Sequence, residues 1–292
     1  MNQPATIIPA AALLSSALQA PVSGFAPLWF RNELIGAVSP AWLSHLDARL
    51  FKLDDDERGD GLPLVRLQGG DRRAESGLVP AATLNQWFAD WAMALKSQGM
   101  LPGWRGEAVR LYGANETAPL LEVERALLRP LGLMLRTVQV NVFSFHDRKL
   151  KVWIARRAGT KAVDPGKLDS LVGGGISGDE TPLEALLREC HEEAGIGRAI
   201  ARRAVPVGVM DSTASTMDGP AAVLHRERLM LYDLKVPPDF NPSLVDGETA
   251  QVQCLPPAEV LASLAGGNWT NEGAWATRDL VARYGVVMPA AG

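Results

Sequence analysis

In the stretch "RECHEE", Arg188 to Glu193, three carboxylates and an arginine fall within six residues. On a helix Glu189, Glu192 and Glu193 are related by three and four residues and share one side. Leu183, Leu186, Leu187, Cys190 and Ala194 fall on the other side and form a hydrophobic back. Like charges so close repel by roughly a few tenths of a kcal/mol per pair. A hard divalent cation offsets that repulsion, because Mg²⁺ takes oxygen ligands, keeps several waters and bridges one or two carboxylates to substrate phosphates. Arg188 is placed to orient a carboxylate or to meet a phosphate through its planar fork. Taken alone, the same six residues suit equally well a solvated helix face whose acids pair with nearby bases.

The helix that must carry these groups is well marked. Thr181 can cap it, Pro182 suits its first position, Glu184 completes a T-x-x-E capping box and Gly195 supplies a left-handed stop, which predicts a helix over 182–194. Before it, "GTKAVDPGKLDSLVGGG" predicts a loop, and "VQVNVFSF", the turn "HDRK" and "LKVWIARRA" predict a hairpin. After it, "VPVGVMDS", "RERLMLYDLKV" and "AQVQCLP" predict strands, and "PPAEVLASLA" and "TRDLVARYG" helices.

Nearer the N-terminus, residues 9–19 predict a short helix and "LWFRNELIGAVS" a hairpin with Arg31 and Asn32 in the turn. "SPAWLSHLDARL" predicts a helix started by Ser39 with Pro40 behind it, and the acidic run Asp54 to Glu57 a solvated loop without function. Leu84, Trp87, Phe88, Trp91 and Leu95 recur at helical spacing up to Gly99 and predict a core stripe. The texture changes from about Val138, and a boundary placed near Pro130 divides the chain into a smaller α+β domain over 1–130 and a mixed α/β domain over 131–292.

Composition narrows the partners. A net charge of −4 gives no basic field for wrapping nucleic acid, so phosphate binding is expected to be local. No run approaches a membrane span, and no Lys or Arg precedes Arg31 to form the positive region of a signal peptide. Cys190 and Cys254 sit in no metal-ligand spacing and suit a reducing, cytoplasmic setting. His45, His146, His191 and His225 are read as structural or solvated. The partner expected is a small molecule, with a homodimer left open.

The wider pattern is more specific. Gly174, Glu180, Arg188, Glu189, Cys190, Glu192, Glu193, Gly195 and Ile196 satisfy G-x5-E-x7-R-E-U-x-E-E-x-G-U, U being a bulky apolar residue and Cys190 the one unusual choice. This pattern resembles the signature of Nudix hydrolases. The resemblance implies an α/β/α sandwich whose loop–helix–loop binds Mg²⁺ or Mn²⁺ and cleaves a diphosphate attached to another moiety, with water as nucleophile. It implies metal ligands at Glu192 and Glu193, and Glu189 as ligand or general base, oriented by Arg188. It also implies a backbone carbonyl from Gly173 or Gly174 toward the metal, and Glu180 supporting the loop through hydrogen bonds. Many members add an acid from a later loop, for which "VDGETAQ" offers Asp246 and Glu248, the latter preferred.

Three longer stretches extend the resemblance: "FAPLWFRNELIGAVSPAWLSHL", "KVWIARRAGTKAVDPGKLDSLVGGGIS" and "YDLKVPPDFNPSLVDGETAQVQCLPPAEV". They are similar to Nudix proteins with an extra N-terminal domain, a subgroup that includes eukaryotic enzymes hydrolysing thiamine diphosphate and its oxo and oxy analogues to monophosphates. The substrate this implies is a thiamine-type diphosphate. Lys161, Lys167 and Asp169 are candidate contacts to phosphate or substrate, the alternative being an exposed loop with ordinary charges. Three other functions stay open: a hydrolase of ADP-ribose or nucleoside triphosphates, an isomerase like isopentenyl-diphosphate isomerase suggested by "PGKLD", and a non-catalytic metabolite sensor.

Overall fold

The computed structural model describes residues 20–55, 59–69, 79–114, 117–161, 163–218, 221–244 and 247–285. The expected helix over 9–19, Asp56 and Glu57 of the acidic run, and Asp246 lie outside the described residues.

The chain opens with the expected hairpin, β1 (Ala26–Phe30) and β2 (Glu33–Val38). Arg31 and Asn32 turn it with φ of 50° and 65°, the double left-handed turn that matches strand twist. β3 (Phe51–Asp54) and β4 (Leu64–Leu67) complete a sheet in the order β2-β1-β4-β3. The helix expected from Ser39 is instead one 3-10 segment, Pro40–His45, and Leu46 is extended. Asp47 accepts the Arg49 N–H at 2.8 Å, a local turn that competes with helix propagation. Asp54 of the acidic run ends β3 and pairs with Lys52 and Arg66 at 2.8 and 2.7 Å. Helix α1 (Ala81–Ser97) forms as expected and buries Leu84, Phe88, Trp91 and Leu95. A two-stranded ribbon follows, β5 (Ala108–Leu111) and β6 (Leu121–Glu124).

The second half is built on the hairpin β7 (Met134–His146) and β8 (Lys149–Arg157). The expected loop between β8 and the acidic helix holds two short strands, β9 (Leu168–Ser170) and β10 (Val172–Gly175). Glycine is depleted in strands unless a close approach demands it, so the run Gly173 to Gly175 disguises β10. Helix α2 (Pro182–Ala194) and the short α3 (Arg198–Ala201) lead to the long hairpin β11 (Val205–Asp218) and β12 (Ala221–Lys235). β13 (Thr249–Leu255), α4 (Pro257–Ala265) and α5 (Asn271–Tyr284) end the described fold. α5 starts earlier than its apolar pattern suggests because Thr270 caps it, accepting the Gly273 N–H at 3.0 Å.

The sheet order is β11-β12-β7-β8-β13, with β10 paired to β7 and β9 to β8. β7 and β8 pair only through Val142–His146 and Lys149–Trp153; beyond the open end of that ladder β10 takes residues 137–140 of β7 and β9 takes residues 154–156 of β8. The sheet therefore splits, and the split holds the site described below. Val138, Val140 and Val142 pack with Ala185, Leu186 and Leu187 of α2. Phe143, Val152 and Ile154 pack with Val260 of α4 and Leu280 of α5. This α/β/α sandwich, preceded by a smaller α+β part, is the expected fold class. No described helix is long and apolar enough to cross a membrane.

The two parts share a core. Leu133, Leu135 and Val223 pack in one cluster with Leu28, Phe30 and Trp91. Arg226 on β12, only 2% exposed, donates to the carbonyls of Ile35 at 3.1 Å and Gly132 at 2.7 Å. A truncated chain starting at Leu131 uncovers Leu133, Leu135 and Val223, each worth about 1.5–3 kcal/mol of burial. We expect it to melt at lower temperature and to bind a hydrophobic dye. A monomeric truncated chain with an unchanged melting temperature would contradict the shared core.

Candidate active site

Both ends of α2 are fixed as expected. The Thr181 hydroxyl accepts the Glu184 N–H at 3.2 Å while the Glu184 carboxylate accepts the Thr181 N–H at 2.8 Å. Gly195 stops the helix at φ 65°. The rotation about its axis differs from the expectation in two ways. Leu183, in the first turn, is 45% exposed and stands outside the apolar cluster that holds Leu186, Leu187, Cys190 and Ala194. Of the three acids only Glu192 faces solvent; Glu189 and Glu193 are 9% and 8% exposed. The physical reason is β10, whose bare glycine backbone lies against them.

Each glycine of that strand meets a different side chain. A Cβ on Gly173 would press on the Gln139 amide, one on Gly174 would overlap the Glu189 carboxylate, and one on Gly175 would lie 3.1 Å from the Arg125 guanidinium. Gly173 also donates its N–H to Glu193 at 2.7 Å. Three consecutive glycines thus bring two carboxylates, an amide and a guanidinium up to one strand, an approach no side chain permits.

Arg188 joins the parts. Its Nε and Nη2 donate to the Glu180 carboxylate at 2.7 and 2.9 Å, and Nη2 also donates to the Gly175 carbonyl at 3.0 Å. Its Nη1 donates to Glu189 at 2.6 Å and to Glu192 at 3.3 Å. Hydrogen bonding to Glu180, with the nearby Glu189 charge, raises the Arg188 pKa, and the bond to Arg188 holds the Glu180 carboxyl below the usual range. Burial pushes the Glu189 carboxyl up, against the pull of Arg188. Glu180 also accepts the Ser177 N–H at 3.1 Å, which ties the loop to the helix. Cys190 faces the core, and burial pushes its thiol up to about 12, so it is inert as a nucleophile.

The other expected residues all line the same cavity, of about 570 Å³. Glu248 is ion-paired with Lys161; burial pushes its carboxyl up, but Lys161 together with the charges of Arg105 and Arg157 holds it below the usual range. Lys167 pairs with Asp164 at 2.7 Å. Asp169 is anchored more deeply: it accepts from Gln139 at 3.0 Å, from the Ser170 N–H at 2.8 Å and from Arg157 at 3.1 Å. Burial raises its pKa in spite of Arg157. A Cβ on Gly273 would overlap the Asp169 carboxylate, so Asp169 is the strut on which the first turn of α5 rests.

Sequence reading missed the wall supplied by the N-terminal part: Arg105, Glu107, Arg125 and Arg129. Arg125 pairs with Glu107 at 3.0 Å, Ser177 donates its hydroxyl to Glu107, and the Gly178 N–H donates to the Ala108 carbonyl at 2.9 Å. The third glycine of "VGGG", which the Nudix pattern does not require, was the one available sign that a large side chain approaches β10.

Comparison with known proteins agrees with this geometry. The NUDIX domain model matches residues 135–274. Nudix hydrolase 24, chloroplastic, of Arabidopsis thaliana is 36% identical over 166 residues, 57% of this chain and 44% of that protein. Nudix hydrolase 20, chloroplastic, of the same plant is 35% identical over 172 residues, 59% of this chain and 45% of that protein. This chain thus spans less than half the length of these relatives. Among solved structures, DR0079 from Deinococcus radiodurans is 24% identical with a TM-score of 0.42, over 61% of this chain and 99% of that one.

The packing at β10 makes a stability prediction. Gly174→Ala must displace either the Glu189 carboxylate or the strand, at a cost of about 1–3 kcal/mol. Gly159→Ala, with nothing within 4 Å of the new methyl, serves as the control. Thermal denaturation should show a lowered midpoint for the first and none for the second. Equal midpoints would mean that Glu189 is not held against Gly174.

Proposed function

We propose that this chain, whose residues 135–274 match the NUDIX domain model, is a Mg²⁺- or Mn²⁺-dependent hydrolase that breaks the phosphoanhydride bond of a small-molecule diphosphate. The observation that carries the reading is the buried acidic wall, with Glu189 and Glu193 against a strand of bare glycines and Glu189 bridged to Glu192 through Arg188. Its donors are all oxygen, as a hard divalent cation requires. Among the described residues no three His, Cys, Asp or Glu side chains are gathered to hold a metal ion by themselves. Mg²⁺ keeps several waters and shares its coordination with substrate phosphates.

In this reading Glu192 and Glu193 hold the metal, with a carbonyl of Gly173 or Gly174, and Glu189 is a further ligand or the general base. When bound, the ion would neutralise charge on the phosphates and lower the pKa of a bound water. Arg188 keeps the Glu189 carboxylate aimed along β10, and Glu180 fixes Arg188 in turn. Glu248 is the proposed later acid, held in place by Lys161. Lys161, Lys167 and Asp169 are proposed on the substrate side of the cavity, Asp169 as the strut that shapes it.

The proposed substrate is a thiamine-type diphosphate, converted with water to the monophosphate and inorganic phosphate. Support comes from the stretches of sequence outside the acidic helix and from a cavity of about 570 Å³, ample for one small organic diphosphate. Residues 1–130 help in this reading to choose the substrate, although they share a core with the rest of the chain, since ligand sites favour such interfaces. The unpaired Cys190 and Cys254 fit work in a reducing, cytoplasmic compartment.

The test is a panel with Mg²⁺ that includes thiamine diphosphate, its oxo and oxy analogues, ADP-ribose and nucleoside triphosphates. Cleavage of the thiamine compounds is expected, and Glu192→Gln and Glu193→Gln should each lower turnover at least about a hundredfold with unchanged circular dichroism. Cleavage of ADP-ribose or a nucleoside triphosphate alone would replace the substrate. Near-native activity in both variants would remove the metal-binding role of the helix, and a chain that binds these compounds but turns over none would be a sensor.

A further inference from the structure

We infer that Arg105 and Arg129, both supplied by the N-terminal part, form an anion-binding subsite that takes a phosphoryl group of the ligand. The inference deepens the proposed function in one respect only: it takes this cavity as the ligand site.

The charges that line the cavity divide by origin. The cations of the Nudix domain are matched by carboxylates: Arg157 by Asp169 at 3.1 Å, Lys161 by Glu248, Lys167 by Asp164 at 2.7 Å, and Arg188 by Glu180 at 2.7 Å. Arg125, which lies over Gly175, is matched by Glu107 at 3.0 Å. Arg105 and Arg129 differ. Both line the cavity, yet among the described residues neither guanidinium makes a hydrogen bond or an ion pair. Arg129 is half-buried and Arg105 exposed, and a guanidinium that forgoes a carboxylate keeps its five donors for another anion.

Position makes the choice of ligand narrower. Arg129 is fixed through its own backbone, because its carbonyl accepts the N–H of Gly132 at 3.1 Å and of Leu224 at 3.3 Å, so its side chain starts from a rigid point between the two parts. Arg105 is near enough to Glu248 to act on its charge, yet makes no hydrogen bond or ion pair with it. Arg105, Arg125 and Arg129 also line a second chamber of about 170 Å³, whose other walls include Leu101, Leu128, Leu133 and Leu135. Two guanidiniums without a carboxylate partner, where the cavity meets a chamber walled partly by leucines and partly by His225, Arg226 and Glu227, suit an organic phosphate, with the phosphoryl group on the arginines and the less polar body toward the leucines.

The probe is inorganic pyrophosphate, titrated calorimetrically into the full chain in metal-free buffer with a chelator, where no hydrolysis occurs. Arg105→Gln and Arg129→Gln should each weaken binding about tenfold, and the double variant more, with unchanged melting temperature. Arg129→Lys, which keeps the charge, should retain part of the affinity and guards against a glutamine variant that misfolds. Lys52→Gln, which lies outside the cavity lining, should leave this metal-free binding in place. Pyrophosphate binding that is undetectable at millimolar concentration, or equal in the wild type and the double variant, would overturn the subsite. Binding that depends on both arginines in a protein inactive on the whole diphosphate panel would leave the subsite standing and remove the proposed hydrolysis.

Discussion

Burying two carboxylates four residues apart on one helix is the constraint around which this fold is arranged. Glu189 and Glu193 lie against β10 and repel each other there, and desolvation adds a cost of its own. The chain offsets that cost locally. Arg188 gives Glu189 a charge-assisted bond at 2.6 Å, and Gly173 gives Glu193 a backbone N–H at 2.7 Å. Neither compensation works unless β10 is bare, and β10 can be bare only because its other edge is held by β7. Removing the arginine would therefore leave an uncompensated buried charge, which costs far more than an exposed ion pair contributes.

The N-terminal part belongs to the same arrangement. Its ribbon does not simply pack beside the sandwich; Glu107 and Arg125 reach Ser177 and Gly175, the ends of the segment that delivers Glu180 to Arg188. A chain of contacts thus runs from the ribbon through Glu180 and Arg188 to Glu189. Below it the core is continuous, with Leu133 and Val223 shared by both parts and Arg226 donating to carbonyls of each. The cavity is accordingly an interface: the acidic wall comes from one part and the unmatched arginines from the other.

Much of this was legible in sequence because it is local. The capping box at Thr181 and Glu184, the stop at Gly195 and the turns at Arg31–Asn32 and Asp147–Arg148 depend on residues within a few positions, and the structure has them where spacing put them. What failed was non-local. β9 and β10 are short and glycine-rich, and they exist as strands because β8 and β7 pair with them. The burial of Glu189 and Glu193 could not be read from helical period, which assigns charges to solvent unless a partner surface is known. The helix expected from Ser39 lost to an aspartate turn at Asp47. Arg105 and Arg129 belong to no motif; only the fold brings them to the cavity.

The central claim is that this acidic wall directs water at a phosphoanhydride. Running the reaction in ¹⁸O-labelled water with Mg²⁺ and a thiamine-type diphosphate, and following products by mass spectrometry and phosphorus NMR, tests it most directly. The account predicts one labelled oxygen in a released phosphate product, one per turnover. An intact diphosphate whose organic part has been isomerised without label would contradict it.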